Sequence, residues 1–317
     1  MIIVVTDGYA LNPGDLSWSG ISKFGELQYY DRSSSEEVPD RCAAADIIIT
    51  NKTPISAETI ASAKHLKMIT VAATGFNIVD VQAATKRRIP VCNVPAYGTD
   101  SVAQHTIALM LELTNHVGLH EQAVRKGEWQ SAQDWCLAKT PIIELAQKTI
   151  GIVGLGRIGK KVAGVAMALG MNVIFNDPGK RMKGTKAKKL DELFRESDFV
   201  SLHCPLKAGN EGFVNAGMIA LMKPTAFLIN TSRGQLIHEA DLAEALKSNR
   251  ITGAALDVLS KEPPPEYHPL IGLSNCIITP HNAWISFEAR QRIMNTTVEN
   301  IQKFLNGKPQ HVVNAGF

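Results

Sequence analysis

The stretch Thr149-Ile-Gly-Ile-Val-Gly-Leu-Gly-Arg-Ile-Gly-Lys160 constrains the fold more than any other part of the chain. Ile150, Ile152 and Val153 read as a short buried strand. Gly154-Leu155-Gly156-Arg157-Ile158-Gly159 is a G-x-G-x-x-G turn, and Lys161 to Leu169 reads as a helix. Each glycine has a physical use: Gly154 for the tight turn, Gly156 to let a pyrophosphate approach the backbone, Gly159 to let helix and strand pack closely. The free N–H groups and positive dipole end of the helix would face the phosphates. Asn172-Val-Ile-Phe-Asn176 reads as the next strand and ends at Asp177, where an acceptor for a ribose 2′-hydroxyl is expected. A glycine-rich turn alone is weak; the strand before, the helix after and the acid following together predict a dinucleotide site. Asp177 can also be read as a plain turn residue before Pro178-Gly179. An acid there favours NAD over NADP, while Lys180 and Arg181 could accommodate a 2′-phosphate and keep that alternative open.

At 317 residues the chain suits two domains. A net charge of +3 gives no reason to expect nucleic acid or an anionic membrane as a partner. No apolar run reaches the length of a membrane span, and the opening Met1-Ile-Ile-Val-Val5 has neither the basic region nor the cleavage site of a secretory signal. The cysteines Cys42, Cys92, Cys136, Cys204 and Cys276 form no C-x-x-C pair. A cytoplasmic protein with free thiols and no metal site is expected.

Residues 1–95 alternate strand-like segments (Met1–Thr6, Asp46–Thr50, Met68–Ala72, Pro90–Asn93) with helix-like ones (Ile55–Lys64, Val79–Lys86), which predicts a small doubly wound α/β unit. Thr74-Gly75-Phe76-Asn77 follows one of these strands. It can be a plain turn, or a place where backbone N–H groups meet a small anion such as a carboxylate. Thr99 to about His120 reads as one long helix with broad apolar coverage, and His105, His116 and His120 read as surface or packing residues. Residues 127–145 read as irregular and carry Trp129 and Trp135, either a subunit contact or a packed surface loop. Beyond the glycine run, Leu190–Ser197, Ala216–Leu221 and Glu239–Ser248 read as helices. They alternate with the strands Phe199–Leu202, Thr225–Asn230, Gly253–Val258 and Ile277–Thr279, as in a Rossmann sheet. Ile285–Leu305 reads as a last helix that returns to the first domain, and the tail leaves no room for a regulatory domain. The expected division is 1–98 with 285–317, and 99–284.

Arg233, Glu262 and His281 each lie just past a predicted strand, where a Rossmann sheet faces the nicotinamide. Reduction of a 2-keto acid needs a cation to hold the carboxylate and polarise the ketone, which arginine's planar fork does well. It needs a proton donor working near neutral pH, and a carboxylate that orients the imidazole and stabilises its protonated form. Singly each residue can be a turn or loop residue; in this order behind a nucleotide motif they read as a catalytic set.

With Gly154-Leu-Gly-Arg-Ile-Gly159, His203-Cys-Pro-Leu206, Asn230-Thr-Ser-Arg-Gly234, Ala255-Leu-Asp-Val258, Glu262-Pro263 and Thr279-Pro-His-Asn-Ala-Trp284, nearly the whole chain resembles the D-isomer-specific 2-hydroxyacid dehydrogenases. The resemblance implies an α/β protein of two doubly wound parallel-sheet domains. A Rossmann NAD domain is inserted into a discontinuous, flavodoxin-like substrate domain, and NAD domains join a homodimer. It implies catalysis by Arg233 and His281 with Glu262 supporting, and substrate held by Gly75, Phe76, Arg233 and His281. NAD (as NADH) would meet Gly154, Gly156, Arg157, Ile158, Gly159, Asp177, Cys204, Pro205, Thr231 and Asp257, the last beside the nicotinamide amide. Thr140-Pro-Ile-Ile-Glu-Leu-Ala146 and Trp284 are similar to glycerate dehydrogenases (hydroxypyruvate reductases), so hydroxypyruvate or a close small 2-keto acid is the expected substrate. Other D-2-hydroxyacid or phosphoglycerate dehydrogenases, and an NAD-sensing protein-binding scaffold, are the alternatives. Asn282, where an apolar residue is expected, and Gln147, where a glycine often stands, depart from the family pattern.

Overall fold

The computed structural model describes residues 1–314; the last three residues of the expected 285–317 segment lie outside the described residues. The chain forms two compact units, one of Met1–Gly98 with the segment from Trp284 onward, the other Thr99–Ala283. The second break falls between Ala283 and Trp284, so Trp284 goes with the first unit instead of closing a 99–284 segment.

The first unit has strands β1 (Ile2–Val5), β2 (Glu26–Tyr29), β3 (Ile47–Thr50), β4 (Met68–Val71) and β5 (Val91–Cys92), ordered β2-β1-β3-β4-β5 and all parallel. This is the doubly wound order of flavodoxin-like sheets. Helices α1 (Ser19–Ser22), α2 (Val38–Cys42), α3 (Ala57–Ser62) and α4 (Val81–Lys86) make the crossovers. β3 and β4 are buried at every position, because helices cover both faces of a parallel sheet; their sequences are therefore continuous apolar runs. Ser56 caps α3 by accepting from the Thr59 N–H, and Asp80 caps α4 by accepting from the Ala83 N–H. β2, α1 and α2 were not legible in the sequence: β2 is only partly buried and the two helices are single short turns.

The second unit opens with α5 (Thr99–Asn115) and α6 (Val117–Arg125). The single helix read over 99–120 is two helices, broken where His116 adopts a left-handed φ of 48°. Then come β6 (Thr149–Val153), α7 (Arg157–Ala168), β7 (Asn172–Asn176), β8 (Thr185–Ala187), α8 (Leu190–Glu196), β9 (Phe199–Leu202), α9 (Ala216–Leu221), β10 (Phe227–Asn230), α10 (Glu239–Lys247), β11 (Gly253–Leu256) and β12 (Cys276–Ile278). They form one parallel sheet ordered β12-β11-β10-β9-β6-β7-β8. The order reverses between β6 and β9, so the crevice beyond their carboxyl ends is the topological switch point of this unit. α7 starts at Arg157, one turn earlier than the sequence suggests, because glycine's low helix propensity disguises its first turn.

α11 (Phe287–Leu305) returns the chain to the first unit. Its Ser286 cap accepts from the Ala289 N–H, and Arg290 forks onto both carboxylate oxygens of Asp15 at 2.6 Å. After α11, Val312 bridges Cys92 in antiparallel fashion and the Asn314 amide bonds Val91 and Ile89, so the end of the chain covers the edge of β5.

Candidate active site

The glycine run occupies the switch point, and each glycine is there for a different reason. At Gly154 φ is +97°, and a Cβ would lie 2.6 Å from the Cys204 backbone nitrogen. At Gly159 a Cβ would lie 2.2 Å from the Gly154 carbonyl oxygen, so strand and helix meet there without room for a side chain. Gly156 caps α7, and a Cβ on it would meet nothing within 4 Å. The turn therefore opens beside the first N–H groups of α7, those of Arg157 and Ile158, which have no partner within the helix. Asp177, at the end of β7, accepts the Leu155 N–H at 2.8 Å, which brings its carboxylate to the glycine turn. An open cradle of N–H donors with an acid at its rim fits the pyrophosphate and ribose diol of a dinucleotide. On the other side of the switch point, Cys204 is partly buried and its thiol is pushed up by burial; its carbonyl accepts from the Ser232 hydroxyl at 2.6 Å. His203 beside it is half-buried, and desolvation lowers it to about 4, so it is neutral at physiological pH and unsuited to proton donation there.

The three polar residues read as a catalytic set lie beyond neighbouring strands of the same sheet. Arg233 follows β10, exposed, with a guanidinium N–H on the Ser232 carbonyl at 2.7 Å. Its loop is fixed by the Asn230 amide, which donates to the Arg233 carbonyl and accepts from the Ser232 N–H. Gly234 presses on the Glu262 loop so closely that a Cβ would lie 1.9 Å from the Leu259 carbonyl carbon, and the Gln235 amide donates to Ser260. Glu262, beyond β11, takes the Leu259 N–H on one oxygen at 2.9 Å and faces His281 Nδ1 with the other at 2.5 Å. A carboxylate can only accept, so Nδ1 carries hydrogen and Nε2 is left for other chemistry. His281 adopts a left-handed φ of 50°, an unusual backbone state for a residue with a side chain.

Asp257 holds that state. It is buried to 1% exposure; one carboxylate oxygen accepts from the Thr279 hydroxyl (2.6 Å) and the Asn282 N–H (3.0 Å), the other from the Ala283 N–H (3.0 Å). Its carbonyl accepts the His281 N–H. The resemblance implies Asp257 beside the nicotinamide amide; in the fold its carboxylate also holds the main chain of the His281 loop. Asn282 Oδ1 is buried without a hydrogen-bond partner among the described residues. Thr279 was not read as a site residue, and His105 was read as a surface or packing residue. Their signal was the Thr-Pro-His string for the first and, for the second, nothing short of the fold, since His105 is 174 residues from Thr279. Thr231 is buried and shares a hydrogen bond with Thr106, and the Pro205 carbonyl accepts from Asn210.

In the first unit, Thr74-Gly75-Phe76 lies beyond β4. The Thr74 hydroxyl donates to the Val94 carbonyl and the Asn93 amide to the Thr74 carbonyl, which fixes the turn. Among the described residues the N–H groups of Gly75 and Phe76 have no hydrogen-bond partner. Nearby, beyond β3, the Asp7 carboxylate takes the N–H groups of Asn51, Lys52 and Thr53.

Residues 107–283 match the family model for the NAD-binding domain of D-isomer-specific 2-hydroxyacid dehydrogenases. The chain is similar to a hydroxypyruvate reductase of Blautia hydrogenotrophica, 47% identical, with 99% of this chain and 100% of that protein aligned. It is 38% identical to a glycerate dehydrogenase of Methylorubrum extorquens, over 91% of each protein. Among solved structures it resembles an acyclic imino acid reductase (Bsp5) in complex with NADPH and D-Arg, at TM-score 0.86 and 35% identity, covering 99% of this chain and 100% of that one. The cofactor of the glycine cradle is thus a nicotinamide dinucleotide, and the chain belongs to the D-isomer-specific 2-hydroxyacid dehydrogenase family.

Proposed function

We propose that this protein reduces hydroxypyruvate to D-glycerate with NADH. The observation that carries the reading is the His281–Glu262 pair, closed at 2.5 Å beyond strands of the sheet that carries the glycine cradle. NADH, when bound, supplies the hydride that adds to the carbonyl carbon. Arg233 holds the substrate carboxylate and draws electron density toward the ketone oxygen. His281 gives the proton on Nε2 to that oxygen, while Glu262 holds the imidazole in register and stabilises its cation. Gly156, Arg157 and Ile158 hold the pyrophosphate, with Gly154 and Gly159 shaping the turn, and Asp177 accepts from the ribose. Cys204, Pro205 and Thr231 line the cofactor's path, and Gly75 and Phe76 offer N–H groups to the carboxylate. Residues 1–98 with the segment from Trp284 onward serve the substrate, and 99–283 the cofactor. The names of the two relatives support the choice of hydroxypyruvate.

The test is a comparison of hydroxypyruvate, glyoxylate, pyruvate and phosphohydroxypyruvate, each with NADH and NADPH. The highest kcat/KM is expected for hydroxypyruvate with NADH. His281→Ala should lower kcat by about 10²–10⁴-fold; unchanged turnover removes the proton-donor assignment. Preference for the phosphorylated substrate would make the protein a phosphoglycerate dehydrogenase, preference for NADPH would overturn the role given to Asp177, and no turnover of any 2-keto acid would favour a scaffold.

We also infer a cytoplasmic homodimer joined through the second unit. All five cysteines are free thiols, and burial pushes Cys42, Cys92 and Cys276 up to about 12, which suits a reducing compartment. No helix among the described residues is long and apolar enough to cross a membrane. The support for the dimer is the set of large apolar side chains that α6 and the segment after it expose: Val117, Leu119, Trp129, Trp135 and Ile142.

A further inference from the structure

One face of α5 touches both loops that carry the proposed catalytic residues. Ser101 donates its hydroxyl to the Ala283 carbonyl at 2.7 Å. One turn on, His105 Nε2 lies 2.9 Å from the Thr279 hydroxyl and 3.5 Å from Asp257 Oδ1. The next residue, Thr106, is fully buried and meets the Thr231 hydroxyl at 2.9 Å, two residues before Arg233. Ser101 and His105, spaced i and i+4, therefore grip the two ends of the His281 loop, while Thr106 grips the Arg233 loop.

The direction of each hydrogen bond at Thr279 follows from its neighbours. The Thr279 hydroxyl gives its hydrogen to Asp257 Oδ1, so its oxygen must accept from His105. His105 thus presents an Nε2–H that aligns the hydroxyl on the carboxylate, with Nε2 itself 3.5 Å from Oδ1 of that carboxylate. Asp257 is nearly inaccessible to water, and it alone secures the Asn282 and Ala283 N–H groups that keep His281 left-handed. A buried carboxylate short of donors is costly, and relaxes by moving the groups around it. Here those groups are the main chain of His281.

We propose that His105 is a positioning residue for the hydride-transfer reaction. Through Thr279 and Asp257 it sets where His281 Nε2 lies, and so the efficiency of proton delivery to the substrate oxygen. This rests on the proposed role of His281. His105 touches neither substrate nor cofactor in this scheme; it acts as the far support of a chain His105–Thr279–Asp257–His281. A displacement of a donor by an ångström or less costs roughly ten- to a hundred-fold in rate.

The test uses His105→Phe, which keeps an aromatic side chain and loses the donor, and His105→Gln, which keeps an N–H donor. Thr279→Val and the double variant His105→Phe/Thr279→Val complete the set. Steady-state kinetics with hydroxypyruvate and NADH are expected to show H105F lowered about ten-fold or more in kcat. KM for both substrates and NADH affinity, read by fluorescence titration, should stay within about two-fold, and H105Q should recover most of the rate. The double variant should be no slower than the slower single one, because both act through Asp257. An unchanged kcat in H105F overturns the proposal. So does a loss of NADH affinity and thermal stability in step with kcat, or multiplicative effects in the double variant. His281→Ala is run beside them. If it stays active, the role of His281 itself fails; if it is inactive while H105F is normal, only the role of His105 fails.

Discussion

Three residues in left-handed backbone states carry side chains or glycine for different reasons. Gly154 has no choice, because a Cβ would strike the backbone of the next strand end. His281 is held there by Asp257, and the strain is offset by buried hydrogen bonds at a reacting position. Gln147 has φ 65°, precedes β6, and has no such compensation at its side chain; its N–H and carbonyl go to Gly170 and Asn172. That left-handed state is the physical reason a glycine often stands at this position. Gln147→Gly leaves both backbone bonds intact and removes the Cβ clash, which costs about 1–2 kcal/mol, against a smaller entropic loss from the freer unfolded chain. Denaturant unfolding should show a gain of roughly 0.5–1 kcal/mol; an unchanged or lower midpoint would show the position is not strained. The sequence shows that Gln147 departs from a pattern. It does not show a dihedral angle, so the meaning of the departure was hidden.

Elements with a strong apolar run or a capping residue were legible, and those defined by a single backbone event were not. β3, β4, β6 and β9 read correctly because burial on both faces demands mostly apolar sequence, broken only by single small hydroxyl residues. The break between α5 and α6 is one dihedral at His116, with no glycine or proline to announce it. β8 is a three-residue edge strand, Thr-Lys-Ala, mostly exposed, and nothing in its pattern demands a strand. α11 was legible as an amphipathic helix that returns to the first domain, but the bonds that hold it there were not. Fully buried Asn300 supplies them: its amide donates to the Asn93 carbonyl at 3.0 Å and accepts from Gln310 and His311. Asn300→Leu keeps the volume and orphans those partners, which predicts a loss of about 1–3 kcal/mol, read by chemical denaturation. A variant as stable as the parent would mean these groups find water instead. The three residues proposed as catalytic could be singled out because each sits in a short string just past a strand. The support beneath them was not, because His105 and Thr106 are ordinary helix residues until the sheet brings Thr279 and Thr231 to them.

For the whole molecule, the segment of 127–145 is where the proposed dimer can be tested. It is anchored at its far end by Ile143 on the Thr114 carbonyl and by buried Leu145, and in its middle by the Lys139 N–H on His120. Ahead of these anchors Trp135 stands 89% exposed, with the Trp129 indole donating to its carbonyl. A large aromatic so exposed next to an apolar helix face is expected to be covered by a second copy. Sedimentation of the parent protein should report a dimer, and Trp135→Asp with Ile142→Asp should shift it toward monomer. A parent that sediments as a monomer at micromolar concentration would refute the interface.

The end of the chain lies against β5: Val312 bridges Cys92, and Asn314 bonds the backbone at Ile89 and Val91. During synthesis this gives the two units a fixed order. The ribosome delivers every residue of the second unit, 99–283, before it delivers α11 and the segment that closes the first sheet. The unit that starts first is therefore completed last, and while translation runs its β5 edge waits uncovered for a strand still unmade.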